Sequence, residues 1–413
     1  MINMRFVKNK VNTTPIEDNV FAVVKLAKAA KEKYGEDQVI DATIGSLYNE
    51  NGTIVAMDSV FTPYKQIKNE TMAAYAASFT GNESFRNQVY QWVIQPGGCT
   101  LAHSVIATPG GTGAVNMTIE SVLDEGETLV LPDIAWGSYQ LMAGMLNLKT
   151  VTYDLFEDDH FNLTSFKETC QKVMDQQQKL LVVINDPCHN PTGYSLTIDE
   201  WKEIVQFFNA CGKQGPVILL NDIAYIDYAY DLDHCHDYMQ TFNQFSDHVM
   251  AVVAFSCSKT LTSYGLRCGA AIILGQNAED VRNMEIVFEK TARATWSNIP
   301  NGAMENFVYV TTQNLDHYLK EKQSYIDLLK QRSDVFLTEA KACQLDCYPY
   351  KEGFFITLAI PDNAKRDRFH QALIDHQIYT IKVNHGIRVG ICSLSLKKCP
   401  GLAKRMKDIL DTI

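Results

Sequence analysis

No stretch of the 413-residue sequence approaches the run of about 18 apolar residues that a membrane-crossing helix needs. The N-terminal MINMRFVKNKVNTT is basic, but no apolar segment follows it, so neither export nor insertion is expected. Positive charge is in deficit as well. With 37 Lys and Arg against 48 Asp and Glu the net charge is −11, which leaves no broad basic surface for nucleic acid or anionic lipid. No C-x-x-C pair occurs among the 11 cysteines, whose odd number and scatter suit reduced thiols in the cytoplasm better than a disulfide framework. Internal repeats, low-complexity tracts and Ser/Gly linkers are also missing, so any two parts of the chain should meet across a cleft and not swing on a tether. What remains is a folded protein with a large core, hydrophobic at 46% and charged at 21%, whose expected partners are small solutes.

The first element to stand out begins at Thr14-Pro15, where a capping Thr and a Pro precede Glu17 and Asp18, and closes near Gly35. Val20, Val24, Ala27 and Ala30 share one face of it, the period of a packed helix. In the middle of the chain short apolar runs bounded by turn residues take over: Thr128 to Leu131, Lys179 to Ile184, Val217 to Leu220, Val249 to Phe255 and Ala270 to Leu274. Amphipathic helical stretches such as Thr197 to Cys211 lie between them, and this alternation predicts βαβ units in a mainly parallel sheet covered on both faces. After Asn314 the texture is helical again, with Tyr325 to Ala340 periodic, a strand-like Gly353 to Ala359 and a closing helix near Leu402 to Ile413, the order of an α+β lobe.

Ligands of open α/β sheets sit beyond the carboxyl ends of the strands. Ile184 is followed by Asn185-Asp186-Pro187-Cys188-His189-Asn190-Pro191-Thr192-Gly193, Leu220 by Asn221-Asp222-Ile223-Ala224-Tyr225, Phe255 by Ser256-Cys257-Ser258-Lys259, and Leu131 by Pro132 through Trp136-Gly137. Taken singly these are ordinary: an Asp after a strand caps a turn, Asn-Pro-Thr-Gly is a tight turn, and a lone Lys is solvated. Such readings do not explain a carboxylate, a phenol, an amide, a lysine, hydroxyls and an arginine arriving together at successive strand ends. Competing signals are weak. Gly-Gly-Thr-Gly lacks the third glycine of a dinucleotide fingerprint, Walker A and H-E-x-x-H are absent, and His234-Cys235-His236 has no distant partner pair, so no metal is expected.

Over nearly its whole length the sequence resembles the pyridoxal-phosphate enzymes of the aspartate aminotransferase fold, fold type I. The resemblance is carried by His-Asn-Pro-Thr-Gly at 189–193, Asp222-x-Ala-Tyr225, Ser256-x-Ser-Lys259 with Arg267 eight residues on, Gly-Gly-Thr-Gly-Ala at 110–114, and Trp136-Gly137. It implies an α/β protein with a large cofactor domain, 46–318, built on a mainly parallel seven-stranded sheet, and a smaller α+β domain from 1–45 and 319–413. The cofactor would be pyridoxal 5′-phosphate, and the assembly a homodimer with active sites at its interface.

Roles follow from the same resemblance. Lys259 would form the Schiff base with the cofactor aldehyde; an ordinary lysine titrates near about 10.4, and Arg267 and burial would make it less basic. Asp222 would hold the pyridine nitrogen protonated. Tyr225 and Asn190 would hydrogen-bond the ring oxygen, and Trp136 would stack on the ring. Ser256, Ser258, Arg267, Thr112 and the backbone N–H groups at Gly110-Gly111 would hold the phosphate at a helix N-terminus. Two departures stand out: Gly110 where the pattern often has Ser, and Tyr139 where it has His three residues after the Trp. Tyr75, six residues before Gly81, is an approximate counterpart of a tyrosine lent by the partner subunit.

For substrate, Arg388 would clamp the α-carboxylate bidentately and Gly45 would close over it. Arg293, in Arg293-Ala-Thr-Trp296-Ser297-Asn298-Ile299-Pro300, is similar to the arginine lent across the dimer to a distal carboxylate, with Ala294 and Trp296 in place of Pro and Tyr; an arginine there also suits a helix C-terminus. The activity implied is an aminotransferase moving an amino group between an L-amino acid, dicarboxylic and/or aromatic, and a 2-oxo acid by a ping-pong mechanism. The same fold also hosts lyases and decarboxylases, and non-catalytic regulators, against which the intact Lys259 and the lack of a basic helix-turn-helix segment argue.

Overall fold

The computed structural model describes residues 6–7, 13–15 and 19–413. Seven strands form the central sheet: β1 (Ala102–Thr108), β2 (Thr128–Pro132), β3 (Lys149–Tyr153), β4 (Leu180–Asn185), β5 (Val217–Asp222), β6 (Val249–Ser256) and β7 (Gly269–Gly275). Their order across the sheet is β1-β7-β6-β5-β4-β2-β3. The pairs β2/β3, β2/β4, β4/β5 and β5/β6 are parallel, while β7 runs antiparallel to both its neighbours. Every residue of β4, β5 and β7 is buried, because these runs of Val, Ile, Leu and Ala are covered on both faces. Successive side chains alternate between two cores: Leu180, Val182, Leu219 and Val253 pack on one side of the sheet, Leu181, Val183, Leu220 and Val252 on the other.

The five apolar runs expected to be strands are strands. Two more, β1 and β3, carry no such run. β3 reads Lys-Thr-Val-Thr-Tyr and is mostly exposed, which an edge strand tolerates and an interior one does not. Helix Ile198–Cys211 starts on a capping box in which the Thr197 hydroxyl accepts from the Glu200 N–H at 3.2 Å and the Thr197 N–H donates back to the Glu200 carboxylate at 2.7 Å.

The C-terminal region builds a three-stranded antiparallel sheet from β8 (Phe355–Ala359), β9 (Ile381–Val383) and β10 (Gly386–Gly390), with β10 in the middle. Residues Ile40–Asp41 pair in parallel with Ile378–Tyr379, so the N-terminal segment packs against the C-terminal one. The first helix is described from Asn19 to Tyr34, and the first-turn acids Glu17 and Asp18 lie outside the described residues. Its buried face is Val23, Ala27 and Ala30 against Val39, Tyr379 and Ile381, with Val24 only half-buried. Helix Leu315–Ala342, 28 residues long, contributes Ile326 and Leu329 to the core beside the central sheet and Phe336 and Ala340 to the core around β8 and β10. Among the described residues no helix is long and apolar enough to cross a membrane.

Candidate active site

Parallel strands that end on the same side deliver their terminal residues to one place. Asp222 is the last residue of β5, Lys259 lies in the helical turn Cys257–Thr260 directly after β6, and Gly111 is the second residue of the helix Gly110–Val122 after β1. A cavity of about 100 Å³ forms there, lined by Gly111, Thr112, Trp136, Asn190, Asp222, Tyr225, Ser256, Ser258, Lys259 and Arg267, together with Tyr139, Asn185 and Ala224. All ten residues expected around the cofactor therefore share one wall system. Larger hollows lie elsewhere, one of about 580 Å³ at the opposite ends of β5 and β6, where it meets none of these groups.

Lys259 Nζ lies 5.3 Å from the centre of the Tyr225 ring. Burial lowers its pKa below that of an ordinary lysine, Arg267 pushes the same way, and Asp222 opposes both. Burial raises Asp222 above the ordinary carboxylate range; a hydrogen bond from the Tyr139 hydroxyl to Oδ2 at 2.6 Å, another from the Ala224 N–H to Oδ1 at 3.1 Å, and Lys259 pull it back. Tyr225 is 6% exposed, and its burial pushes the phenol up so that it stays neutral.

At the other end Arg267 Nη1 donates to Ser258 Oγ at 3.1 Å and to the Tyr264 carbonyl at 2.9 Å, and Nη2 donates to the Pro109 carbonyl at 3.3 Å. Gly110 has φ of +73°, and a Cβ there would stand 2.7 Å from Arg267 Nη2. The departure from Ser at this position suits the backbone, which takes the left-handed conformation that favours glycine, and the guanidinium lies in the space a side chain would enter. Asn185, unremarked as a site residue, joins two of these loops, since its Nδ2 donates to the Asp222 carbonyl at 2.7 Å and its Oδ1 accepts from the Asn190 N–H at 2.7 Å. It ends β4 as Asp222 ends β5, so the strand-end rule points to it as well.

Arg388, on β10, is 8% exposed. Its Nη1 donates to Asn190 Oδ1 at 3.4 Å, its Nη2 donates to the Thr43 carbonyl at 2.8 Å, and its Nε is buried without a partner. The guanidinium carbon stands 4.4 Å from the centre of the Phe355 ring, and the same ring would meet a Cβ on Gly45 at 3.4 Å. Arg388, Asn190 and Gly45 thus converge, and Phe355, which no motif singles out, is the floor between them. Arg293 does not converge: in the last turn of helix Ala278–Thr295 it donates to Ser297 Oγ at 2.5 Å and stacks over Phe79. Tyr75 is 85% exposed and does not line the cavity. In the His234-Cys235-His236 stretch, His234 pairs with Asp237 at 2.9 Å.

The family model for aminotransferases of class I and II matches residues 37–406. The chain belongs to that family. An aminotransferase of Anaerococcus prevotii has the same fold with a TM-score of 0.95 at 32% identity, over 99% of this chain and 100% of that one. An aromatic-amino-acid aminotransferase of Pseudomonas aeruginosa is 26% identical over 196 residues, 47% of each chain. An aspartate aminotransferase of Salmonella typhi is 23% identical over 267 residues, 63% of this chain and 65% of that one. The matched part spans between about half and two thirds of these two curated relatives.

Aminotransferases of this family depend on pyridoxal phosphate and exchange amino groups between amino acids and oxo acids. The cavity of this aminotransferase fits that cofactor by its donor set. One end offers a guanidinium, two serine hydroxyls, Thr112 and a helix N-terminus to a phosphate; the other offers a buried carboxylate to a ring nitrogen, with a primary amine between them. Gly110 shows the cradle is shaped around its arginine, because a side chain there would displace the guanidinium from Ser258.

Proposed function

We propose that the chain is a pyridoxal-phosphate-dependent aminotransferase acting by a ping-pong mechanism between an L-amino acid, dicarboxylic and/or aromatic, and a 2-oxo acid. The observation that carries this reading is the meeting of Lys259, Asp222 and Arg267 in one cavity, with Arg388 joined to it through Asn190. When bound, pyridoxal phosphate supplies the aldehyde that takes the amino group and a ring that accepts electrons. Lys259 Nζ, made less basic by burial, would hold the cofactor and carry the proton from the substrate Cα. Asp222, supported by Tyr139, keeps the ring nitrogen protonated. Asn190 and Tyr225 would hydrogen-bond the cofactor, Trp136 would pack against it, and Ser256, Ser258, Thr112, Gly111 and Arg267 would hold its phosphate.

Arg388 binds the substrate α-carboxylate with the N–H groups that Asn190 and Thr43 leave free, Nε among them, and Gly45 closes over it. Arg293 reaches a distal carboxylate across a homodimer interface, and the aspartate and aromatic-amino-acid aminotransferases among the relatives support that substrate range. The large domain is taken as 46–318, the small one as 1–45 with 319–413, and the enzyme as cytoplasmic. A panel of amino acids scored for keto-acid release with 2-oxoglutarate as acceptor tests the reading. Parallel double-reciprocal lines are expected; ammonia or carbon dioxide release without amino transfer would replace it with a lyase or decarboxylase.

A further inference from the structure

The helical turn that carries Lys259 is anchored from behind by a buried ion pair that plays no part in the roles above. Lys322, on helix Leu315–Ala342, has no solvent exposure, and its Nζ lies 3.1 Å from Asp227 Oδ1. Asp227 sits two residues after Tyr225, in the turn Ile226–Tyr228, and is 3% exposed. Its carboxylate also accepts from Trp92 Nε1 at 3.1 Å and from Thr260 Oγ1 at 2.5 Å. Tyr318 OH closes the ring: it accepts from Lys322 Nζ at 2.7 Å and donates to the Thr260 carbonyl at 2.6 Å. Thr260, the residue after Lys259, is therefore gripped through both its hydroxyl and its carbonyl.

A buried pair of this kind is a poor source of stability, because apolar residues of the same volume do as well or better, whereas charge-assisted hydrogen bonds are short and directional. Its value here is positional. One carboxylate is tied to the backbone turn of Tyr225 and to the turn of Lys259, whose amine and ring stand 5.3 Å apart in the cavity. The same helix continues to Arg332, which is fully buried and donates to the carbonyls of Tyr48 and Cys392 at 2.9 and 3.2 Å; Cys392 lies four residues beyond Arg388. A single rod thus connects the turn that carries the amine to the turn directly after the strand that carries Arg388.

We infer that Asp227 and Lys322, acting through Thr260, are positioning residues that aim Lys259 Nζ at the substrate Cα, an inference that rests on the function proposed above. Thr260→Val keeps the volume and removes the hydroxyl; Thr260→Ser keeps the hydroxyl. Borohydride trapping of pyridoxal phosphate on Lys259 of the wild-type protein comes first, and its failure would overturn the proposed function itself. Given trapping, Thr260→Val is expected to lower kcat by about ten- to hundred-fold with KM little changed, as for a group displaced by a fraction of an ångström. It should also move the midpoint of the pH titration of the loaded protein's visible absorbance, by about half a unit. Thr260→Ser should restore both. A valine variant with wild-type midpoint and turnover, or a serine variant as impaired as the valine one, would overturn the positioning role and leave the cofactor assignment standing. Lys322→Met should shift the midpoint in the same direction as Thr260→Val; if it fails to fold, the Thr260 pair still decides.

Discussion

Tyr139 donates its phenolic hydrogen to Asp222 Oδ2 at 2.6 Å from a position where the resembling pattern has histidine. The difference matters chemically. An imidazole gains or loses a proton near neutrality, whereas burial pushes the Tyr139 phenol so far up that it is a donor at every working pH. Support for Asp222 in this enzyme therefore comes from a neutral donor that does not titrate.

Tyr139→Phe removes that bond and leaves a buried carboxylate with one fewer donor, a loss of about 1.5–3 kcal/mol for a hydrogen bond to a charged group. The sign is fixed by the environment. Burial already raises Asp222 and the Tyr139 bond lowers it, so its loss raises Asp222 further, and ionised Asp222 is then confined to higher pH. The acid limb of the kcat/KM profile should shift to higher pH, and turnover at neutrality should fall about ten- to hundred-fold. An acid limb that stays in place in the phenylalanine variant would show that Tyr139 does not tune Asp222.

Lys259→Ala should abolish covalent attachment of pyridoxal phosphate. Borohydride reduction of the loaded wild-type protein should mark the peptide that contains Lys259, and the variant should carry no reduced cofactor. A label that persists on another lysine would transfer the role elsewhere. Asp222→Ala should bind the cofactor and fold, yet lose several orders of magnitude in turnover, because nothing else in the cavity offers a carboxylate to the ring nitrogen.

The strand-end residues were legible because a parallel sheet with both faces buried writes its strands as apolar runs, and the chemistry follows each run directly. Asp222, Lys259 and Asn190 are found by that rule alone. Phe355 and the Asp227–Lys322 pair are not, since what matters in them is proximity between residues far apart in the chain: Lys322 is 95 positions from Asp227, and neither stands in a motif. Strands β1 and β3 were obscured for a different reason, because β3 is a polar edge and β1 opens on a half-buried Ala102 and the exposed His103. Gly110 reads as a missing hydroxyl until its positive φ and the neighbouring guanidinium are seen.

Arg388→Lys should raise KM for amino acid and oxo acid alike by two orders of magnitude or so, with a smaller effect on kcat. A lysine cannot present the planar pair of donors that a carboxylate accepts, and it would leave Asn190 Oδ1 and the Thr43 carbonyl competing for one ammonium. A variant whose KM stays within about two-fold of the wild type would move the carboxylate site away from Arg388.

His189 is buried beside Asn190, with Nδ1 paired to Thr192 Oγ1 at 2.8 Å and Nε2 without a partner. Burial lowers its pKa to about 3, against about 6.5 in an unfolded chain. Between those values the unfolded state binds the extra proton, so the stability linked to His189 is complete above about pH 6.5 and is lost as pH falls toward 3. The loss should reach about 2 kcal/mol at pH 5. Urea unfolding at pH 7 and pH 5 should show this difference in the wild type, and His189→Gln should flatten it. An equal acid loss in the variant would assign the effect to other groups.

Arg293 poses the question of specificity most sharply, because in a single chain it serves its own helix end: it donates to Ser297 and lies 4.7 Å from the centre of the Phe79 ring. Two exposed aromatics, Phe79 at 40% and Tyr75 at 85%, stand on the same stretch of chain, and an apolar surface of that kind is suited to being covered. If a second copy of the chain covers it, Arg293 is placed to exchange Ser297 for a substrate carboxylate that offers a full charge. Arg293→Ala should then lower kcat/KM for aspartate or glutamate by about a hundred-fold or more while changing that for a neutral aromatic amino acid by no more than about three-fold, since only the dicarboxylate loses a buried ionic partner. The same variant should retain the wild-type mass in sedimentation equilibrium, which separates a lost contact from a lost dimer. Equal losses for charged and neutral donors would return Arg293 to the role of a helix-terminal side chain, and the acidic substrates would have to be recognised by another cation.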